Sequence, residues 1–261
     1  GTSSGIPSKI YLDKYNSLNQ RTILTKIFQY HFGTSRLPMI FVSQKPSKKN
    51  LFDAKMAALN GFSLFGKNHF YMLDDKRKIN YVGLNKFLKS HQNQKFIIFG
   101  FTFEVFKYLY KILDMKKISG SFKNSILIHG GGWKKMEKLK VEKKLFKDYL
   151  KKKLGIKNIH NYYGLIEQTG SIYFECKCGY FITSNYTNIL VRNENLEICK
   201  DNKRGFIQLM SLLPSSYPGH NIITQDIGEI VNNKFCKCKI NGKRFLIHGR
   251  AEQAEPRGCS D

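Results

Sequence analysis

The apolar pattern of this chain changes once, near residue 165, and that change limits the fold more than any other feature. Before it, apolar runs of strand length alternate with stripes of helical spacing. Residues 9–12 read as a strand, followed by a helix through Leu18, Ile23, Leu24 and Ile27. PMIFVS at 38–43, HFYML at 69–73, FIIFGF at 96–101, and residues 125–129 and 159–163 read as further buried strands. Helices are expected over 51–59, 81–91, 105–113 and 136–154. Such alternation predicts a mostly parallel sheet with helices on its faces. After 165, short strand candidates at 171–175, 189–192, 205–210, 228–231 and 244–247 are parted by Gly, Asn and Pro. This second pattern predicts a smaller, antiparallel β-rich subdomain. The fold class is therefore α/β, mostly parallel, with a β-rich companion. Its expected segments are 1–165 (α/β), 166–247 (β-rich) and a hinge-like C-terminal stretch, 248–261.

Charge decides less than its size suggests. The 44 basic residues against 19 acidic ones give a formal +25, which ordinarily points to an anionic partner. Only 8 of the 44 are Arg, however, and the lysines run from Lys9 to Lys243 without forming one stripe. Arg is the better fork for phosphates and bases, so no dedicated nucleic-acid function is expected. No apolar run is long enough for a membrane span. Four of the six cysteines sit in two C-x-C pairs, a spacing that favours metal ligation over bridging. A reducing, cytoplasmic setting fits that usage.

Five blocks carry chemistry, and several have a plain alternative, an exposed turn carboxylate in the case of Glu167. In GTSSGIPSK at 1–9, glycine and hydroxyl residues would let backbone N–H groups approach a polyphosphate, with Lys9 adding charge; a solvated loop is the alternative, and no Walker pattern is present. In ILIHGGGW at 126–133 a buried strand runs into three glycines, where a flat ring or a phosphate could touch backbone; a strand-to-helix turn and a structural His129 are the alternatives. In NYYGLIEQTG at 161–170, Glu167 just beyond a strand end could hold Mg²⁺. In ITQDIG at 223–228, Asp226 could accept both hydroxyls of a ribose, or could sit in an ordinary β-turn. The last block is HGRAE at 248–252 with EPRGCSD behind it.

The order of these blocks resembles the adenylate-forming superfamily of acyl-CoA synthetases and ligases. Within it, the wording is most similar to the acyl-protein synthetase (LuxE) family. GTSSGIPSKI at 1–10, GGGWKK at 130–135, YYGLIEQTGSIYFEC at 162–176, LPSSYPGHNIITQDIG at 213–228 and GRAEQAEPRGCSD at 249–261 carry the match, over nearly the whole chain. The resemblance implies the large domain of an adenylate-forming enzyme. It also implies residues before Gly1 that open the phosphate loop, and it leaves the superfamily's mobile C-terminal domain, with its late lysine, outside this sequence. Thr2, Ser3, Ser4, Gly5 and Lys9 would then hold the ATP phosphates, and Gly131, Gly132 and Trp133 would receive adenine with Tyr163 stacking nearby. Glu167 would bind Mg²⁺, Asp226 the ribose, and Arg250 the ribose or α-phosphate. Ile166 stands where the superfamily usually has Thr, so any hydroxyl contact from that position is lost. Cys259 would accept the acyl group as a thioester, with Arg257 helping to lower its pKa.

The paired cysteines are read from spacing. Cys176 with Cys178, and Cys236 with Cys238, could each present two thiolates from one hairpin and together complete a closed, structural zinc site. Buried free thiols or an oxidised pair are the alternatives. Cys199 has no evident mate. The lysine-rich stretch 134–153 reads as an amphipathic helix with a solvated basic face. The expected activity is ATP-dependent conversion of a fatty or other carboxylic acid to acyl-AMP, then transfer to Cys259, with an acyl-reductase subunit as partner. A ligase passing acyl or aryl groups to coenzyme A, of the phenylacetate–CoA ligase type, is the alternative. A non-catalytic, zinc-stabilised binding module is a third.

Overall fold

The structure, a computed structural model, describes residues 10–46, 54–132, 141–232 and 236–251. Its chain divides into two compact units. Thr34–Asn161 forms one, while the residues up to Gly33 join those from Tyr162 onward in the other.

In the first unit, β1 (Leu37–Gln44), β2 (Gly66–Leu73), β3 (Phe96–Phe101), β4 (Ser125–Gly130) and β5 (Asn158–Tyr163) stand in the order β2-β1-β3-β4-β5. The β2-β1, β1-β3 and β3-β4 pairs are parallel. Six consecutive residues of β1 are buried, the continuous apolar signature of a strand covered on both faces. Between the strands run α2 (Ala54–Ser63), α3 (Tyr81–Ser90), α4 (Thr102–Glu104) and α5 (Lys143–Leu154). α4 continues as a π-helix over Val105–Ile112, closed by Leu113 N–H donating to Tyr108 O at 2.9 Å. α5 buries Phe146, Leu150 and Leu154, one stripe at i, i+4 and i+8, and turns its lysines outward. It ends on Gly155, at φ 72°, whose N–H returns to Lys151 O, the left-handed cap that glycine accepts without cost.

In the second unit, β7 (Phe181–Ile182), β8 (Thr187–Arg192), β9 (Gly205–Ser211), β10 (Asn221–Val231) and β11 (Arg244–Arg250) form an antiparallel sheet ordered β7-β11-β10-β9-β8. The short β6 (Tyr173–Phe174) pairs with the last two residues of β5. Tyr173, Phe181, Ile189, Val191, Ile207, Leu209 and Phe245 make the core of this unit. α1 (Lys14–Phe32) belongs here too, capped by Asp13, whose carboxylate accepts from Asn16 N–H.

Both architectures expected from the sequence are present, with local departures. Residues 10–12 are not a strand; they lead into the Asp13 cap. The buried face of α1 is Asn16, Gln20, Ile23, Ile27 and Phe28, and Leu18 faces outward. Val141 and Glu142 precede α5, so the lysine-rich helix begins later than expected. β10 is far longer than 228–231, because a bulge absorbs the Asp and Gly that read as a turn. β7 was too short to leave a pattern. The expected boundary after 165 compares with a division at Asn161 and Tyr162. No described helix is long and apolar enough to cross a membrane.

Candidate functional site

The bulge in β10 governs the most developed polar arrangement in the second unit. Pairing with β9 slips between Ile223 and Ile227, and pairing with β11 slips between Ile227 and Gly228. A bulge bends its strand and re-aims a side chain, and here it is held by Thr224. The buried Thr224 hydroxyl donates to Ile207 O at 3.0 Å and accepts from Asp226 N–H at 3.1 Å. Asp226 is half-buried, and the Tyr163 hydroxyl donates to its Oδ2 at 2.6 Å. No described residue hydrogen-bonds the other carboxylate oxygen. The result is a fixed carboxylate with acceptor capacity to spare.

Asp226 pairs in register with Arg250 at the end of β11, whose exposed guanidinium donates to Gln225 Oε1 at 2.7 Å. The ring of Tyr163 lies 6.1 Å from Tyr173, 6.1 Å from Phe181 and 6.3 Å from Phe245. Burial, then the Asp226 charge, drives the Tyr163 phenol well above its usual range, and burial raises Tyr162 and Tyr173 likewise. These residues are neutral when folded, whereas an unfolded phenol titrates near 10. Their contribution to stability is complete below about pH 10 and is lost as pH climbs from there through the raised values. Alkaline titration followed by phenolate absorbance is expected to show these tyrosines ionising only together with loss of circular dichroism. Ionisation ahead of unfolding would contradict the buried arrangement.

Glu167 sits on a 3-10 turn, Ile166–Gln168, directly after β5. It is half-buried and forms no ion pair among the described residues. The turn is anchored from both sides. Fully buried Gln168 donates to Leu209 O at 3.2 Å, and Ser171 shares a 2.6 Å hydrogen bond with Ser211. Gly170, at φ 89°, lies where a Cβ would come within 2.9 Å of the Gln20 side chain, so only glycine fits. Asn16 donates to Leu213 O at 3.1 Å and to the Ser215 hydroxyl at 2.8 Å, and Gln20 reaches the Tyr217 hydroxyl. The helix thus pins the LPSSYPG loop ahead of β10. Asn16 and Gln20 carry no signal in the sequence, since isolated amides have no pattern of their own, while Thr224 and Gln168 lie inside the blocks at 223–228 and 161–170 without an assigned role.

In the first unit, Gly131 and Gly132 directly follow β4, with Gly131 at φ 76°. Buried His129 at the end of β4 shares a 3.0 Å hydrogen bond between Nδ1 and the Thr102 hydroxyl, and packs edge-on against Phe146. Thr2, Ser3, Ser4, Gly5, Lys9, Trp133 and Cys259 lie outside the described residues.

A second cluster stands at the other end of the β10–β11 connection. The Sγ atoms of Cys176, Cys236 and Cys238 all lie within 4.8 Å of one another. Cys176 to Cys236 measures 3.7 Å, and Cys236 to Cys238 3.0 Å. Cys178 is exposed and stands outside the triad, two residues from Cys176. Cys199 packs against the core and does not join the triad. Burial pushes the Cys176 thiol up to about 12. Burial opposes ionisation of Cys236 as well, but hydrogen bonds from Cys238 and Arg244 outweigh it and bring that thiol down to about 6.

The family model described as acyl-protein synthetase, LuxE, matches residues 1–261. No curated protein matches the sequence. Among solved structures, a 2-hydroxyisobutyryl-CoA ligase in an open conformation superposes with TM-score 0.66 at 13% identity, over 93% of this chain and 54% of the ligase. A benzoate CoA ligase from Burkholderia xenovorans gives 0.57 at 12%, over 89% and 45%. The amide bond synthetase McbA from Marinactinospora thermotolerans gives 0.56 at 10%, over 89% and 44%. These likenesses establish the fold, and the chain spans about half the length of each of these proteins.

Proposed function

We propose, from the premise that this chain belongs to the LuxE acyl-protein synthetase family, that it activates a carboxylic acid with ATP and carries the acyl group on a cysteine. The observation that carries the reading is the carboxylate of Asp226, set by the bulge and by the Tyr163 hydroxyl with acceptor capacity unspent. A carboxylate so held suits the paired hydroxyls of a ribose. Arg250, opposite Asp226 in register, would meet the ribose or the α-phosphate. Gly131 and Gly132 would leave room for the adenine, together with Trp133. Thr2, Ser3, Ser4, Gly5 and Lys9 would hold the phosphates.

The first step is attack by an oxygen of the acid on the α-phosphorus, forming the acyl–oxygen–phosphorus linkage of acyl-AMP and expelling pyrophosphate. Glu167 would hold Mg²⁺, for which a half-buried carboxylate with no ion pair among the described residues is a fitting hard donor. The ion would offset charge on the phosphates. In the second step the thiolate of Cys259 attacks the acyl carbonyl, a carbon–sulfur bond forms, and AMP leaves. A fatty acid as substrate and a reductase as next acceptor follow from the family and belong to the same proposal.

The test uses the full-length protein with MgATP and a panel of acids, read by intact mass. An acyl adduct that hydroxylamine removes, and that Cys259→Ser lacks, is the expected result. Pyrophosphate release that needs added coenzyme A and leaves the protein unlabelled would replace this reading with a coenzyme A ligase. Neither adduct nor pyrophosphate would leave a binding module.

A further inference from the structure

We propose that Cys176, Cys178, Cys236 and Cys238 hold one zinc ion in a closed tetrathiolate site that fastens the turn after β6 to the β10–β11 connection. This inference concerns the second unit alone and stands whether or not the acyl-transfer reading does. Four thiolates around zinc at about 2.3 Å set neighbouring sulfurs about 3.8 Å apart. Cys176 and Cys236 already stand at 3.7 Å, although 60 positions separate them in sequence. The 3.0 Å between Cys236 and Cys238 is well beyond the ~2.05 Å of a disulfide. Zinc would part that pair by less than 1 Å.

Each arm of the site has its own backbone frame. In the first, Cys176 N–H donates to Tyr180 O at 2.8 Å and Gly179 N–H returns to Cys176 O at 2.9 Å. Gly179 takes φ 90°, which a side chain would strain. Cys178 lies exposed on the same turn as Cys176, between that residue and Gly179, so it is the residue placed to close the fourth position. An all-sulfur, four-coordinate set selects zinc among the common divalent ions.

The second arm is held by Arg244. Its guanidinium donates to Gly242 O at 2.9 Å, Ile240 O at 2.8 Å and Cys238 O at 3.3 Å, and approaches Cys238 Sγ at 3.7 Å. Arg244 is buried, and a buried guanidinium calls for compensating negative charge. A zinc ion with four thiolates carries a net charge of about −2, which Arg244 would offset. Partners of this outer kind orient the ligands and tune affinity. The site would therefore replace a hydrophobic staple in a small β-rich unit.

The test measures zinc in the purified full-length protein by elemental analysis and native mass. One zinc per chain is expected, retained by Cys199→Ser and lost by Cys178→Ser and by Cys236→Ser. A chelator is expected to lower the melting temperature of the wild type and not of Cys236→Ser. Should the variants fail to fold, wild-type protein stripped of metal and refilled with Co²⁺ answers the question. Sulfur-to-cobalt charge transfer with intense tetrahedral absorption supports the site. Absence of bound metal, a mass two hydrogens short through an oxidised pair, or full zinc retention in Cys178→Ser would each overturn the proposal.

Discussion

Replacing Asp226 with alanine is expected to lower the specificity constant for ATP by about 100-fold or more. Hydrogen bonds to a charged group contribute about 1.5–3 kcal/mol each, and this carboxylate would give two to a ribose. Their joint loss, about 3–6 kcal/mol, corresponds to a fall of at least that size. ATP–pyrophosphate exchange isolates the first step and is the assay to use. Tyr163→Phe is the informative companion. It removes one 2.6 Å hydrogen bond to the carboxylate and keeps the ring, so a loss of about tenfold or less is expected. Exchange at the wild-type rate by a well-folded Asp226→Ala protein would remove the ribose from this residue. A Tyr163→Phe loss equal to that of Asp226→Ala would mean that the phenol itself meets the substrate.

The largest effect on stability is expected from Phe245→Ala. Its side chain is fully buried, with ring centres 5.3 Å from Tyr173 and 5.6 Å from Phe181. Truncating a buried phenylalanine costs about 3–5 kcal/mol, through lost transfer energy and the cavity left behind. Residues 181, 244 and 245 also join β7 to β11, so the void would open at the edge of the sheet. Urea unfolding should show a lower midpoint with the slope preserved. A change below about 1 kcal/mol would mean that the neighbouring rings collapse into the gap and that this core is looser than its burial suggests.

What could be read in advance was what repeats. Continuous apolar runs such as FIIFGF announced the buried parallel strands, because a strand covered on both faces leaves no alternation to hide it. The stripe Phe146, Leu150 and Leu154 likewise announced α5. Polar supports were invisible. Asn16 and Gln20 look like surface residues on a helix, yet they are buried against a loop nearly 200 positions away. β10 was curtailed for a related reason. Asp226 and Gly228 favour turns locally, and only pairing on both flanks turns them into a bulge. Arg244 offered a faint clue, as one of only 8 arginines in so lysine-rich a chain. Lysine, being a point charge, lacks the fixed fork with which this guanidinium reaches three carbonyls.

The union of α1 with residues beyond Tyr162 has a consequence for synthesis. Its partners Leu213 and Ser215 leave the ribosome only after the whole of Thr34–Asn161 has been made. At about 5–20 residues per second, the helix waits roughly 10–35 s for them. During that interval Ile23, Ile27 and Phe28 have no core to enter, and the intervening unit can complete its sheet first. The helix therefore spends its early life as a ligand for whatever apolar surface is nearby. A nascent-chain chaperone would find a clear foothold there, in turns that are translated long before they are buried.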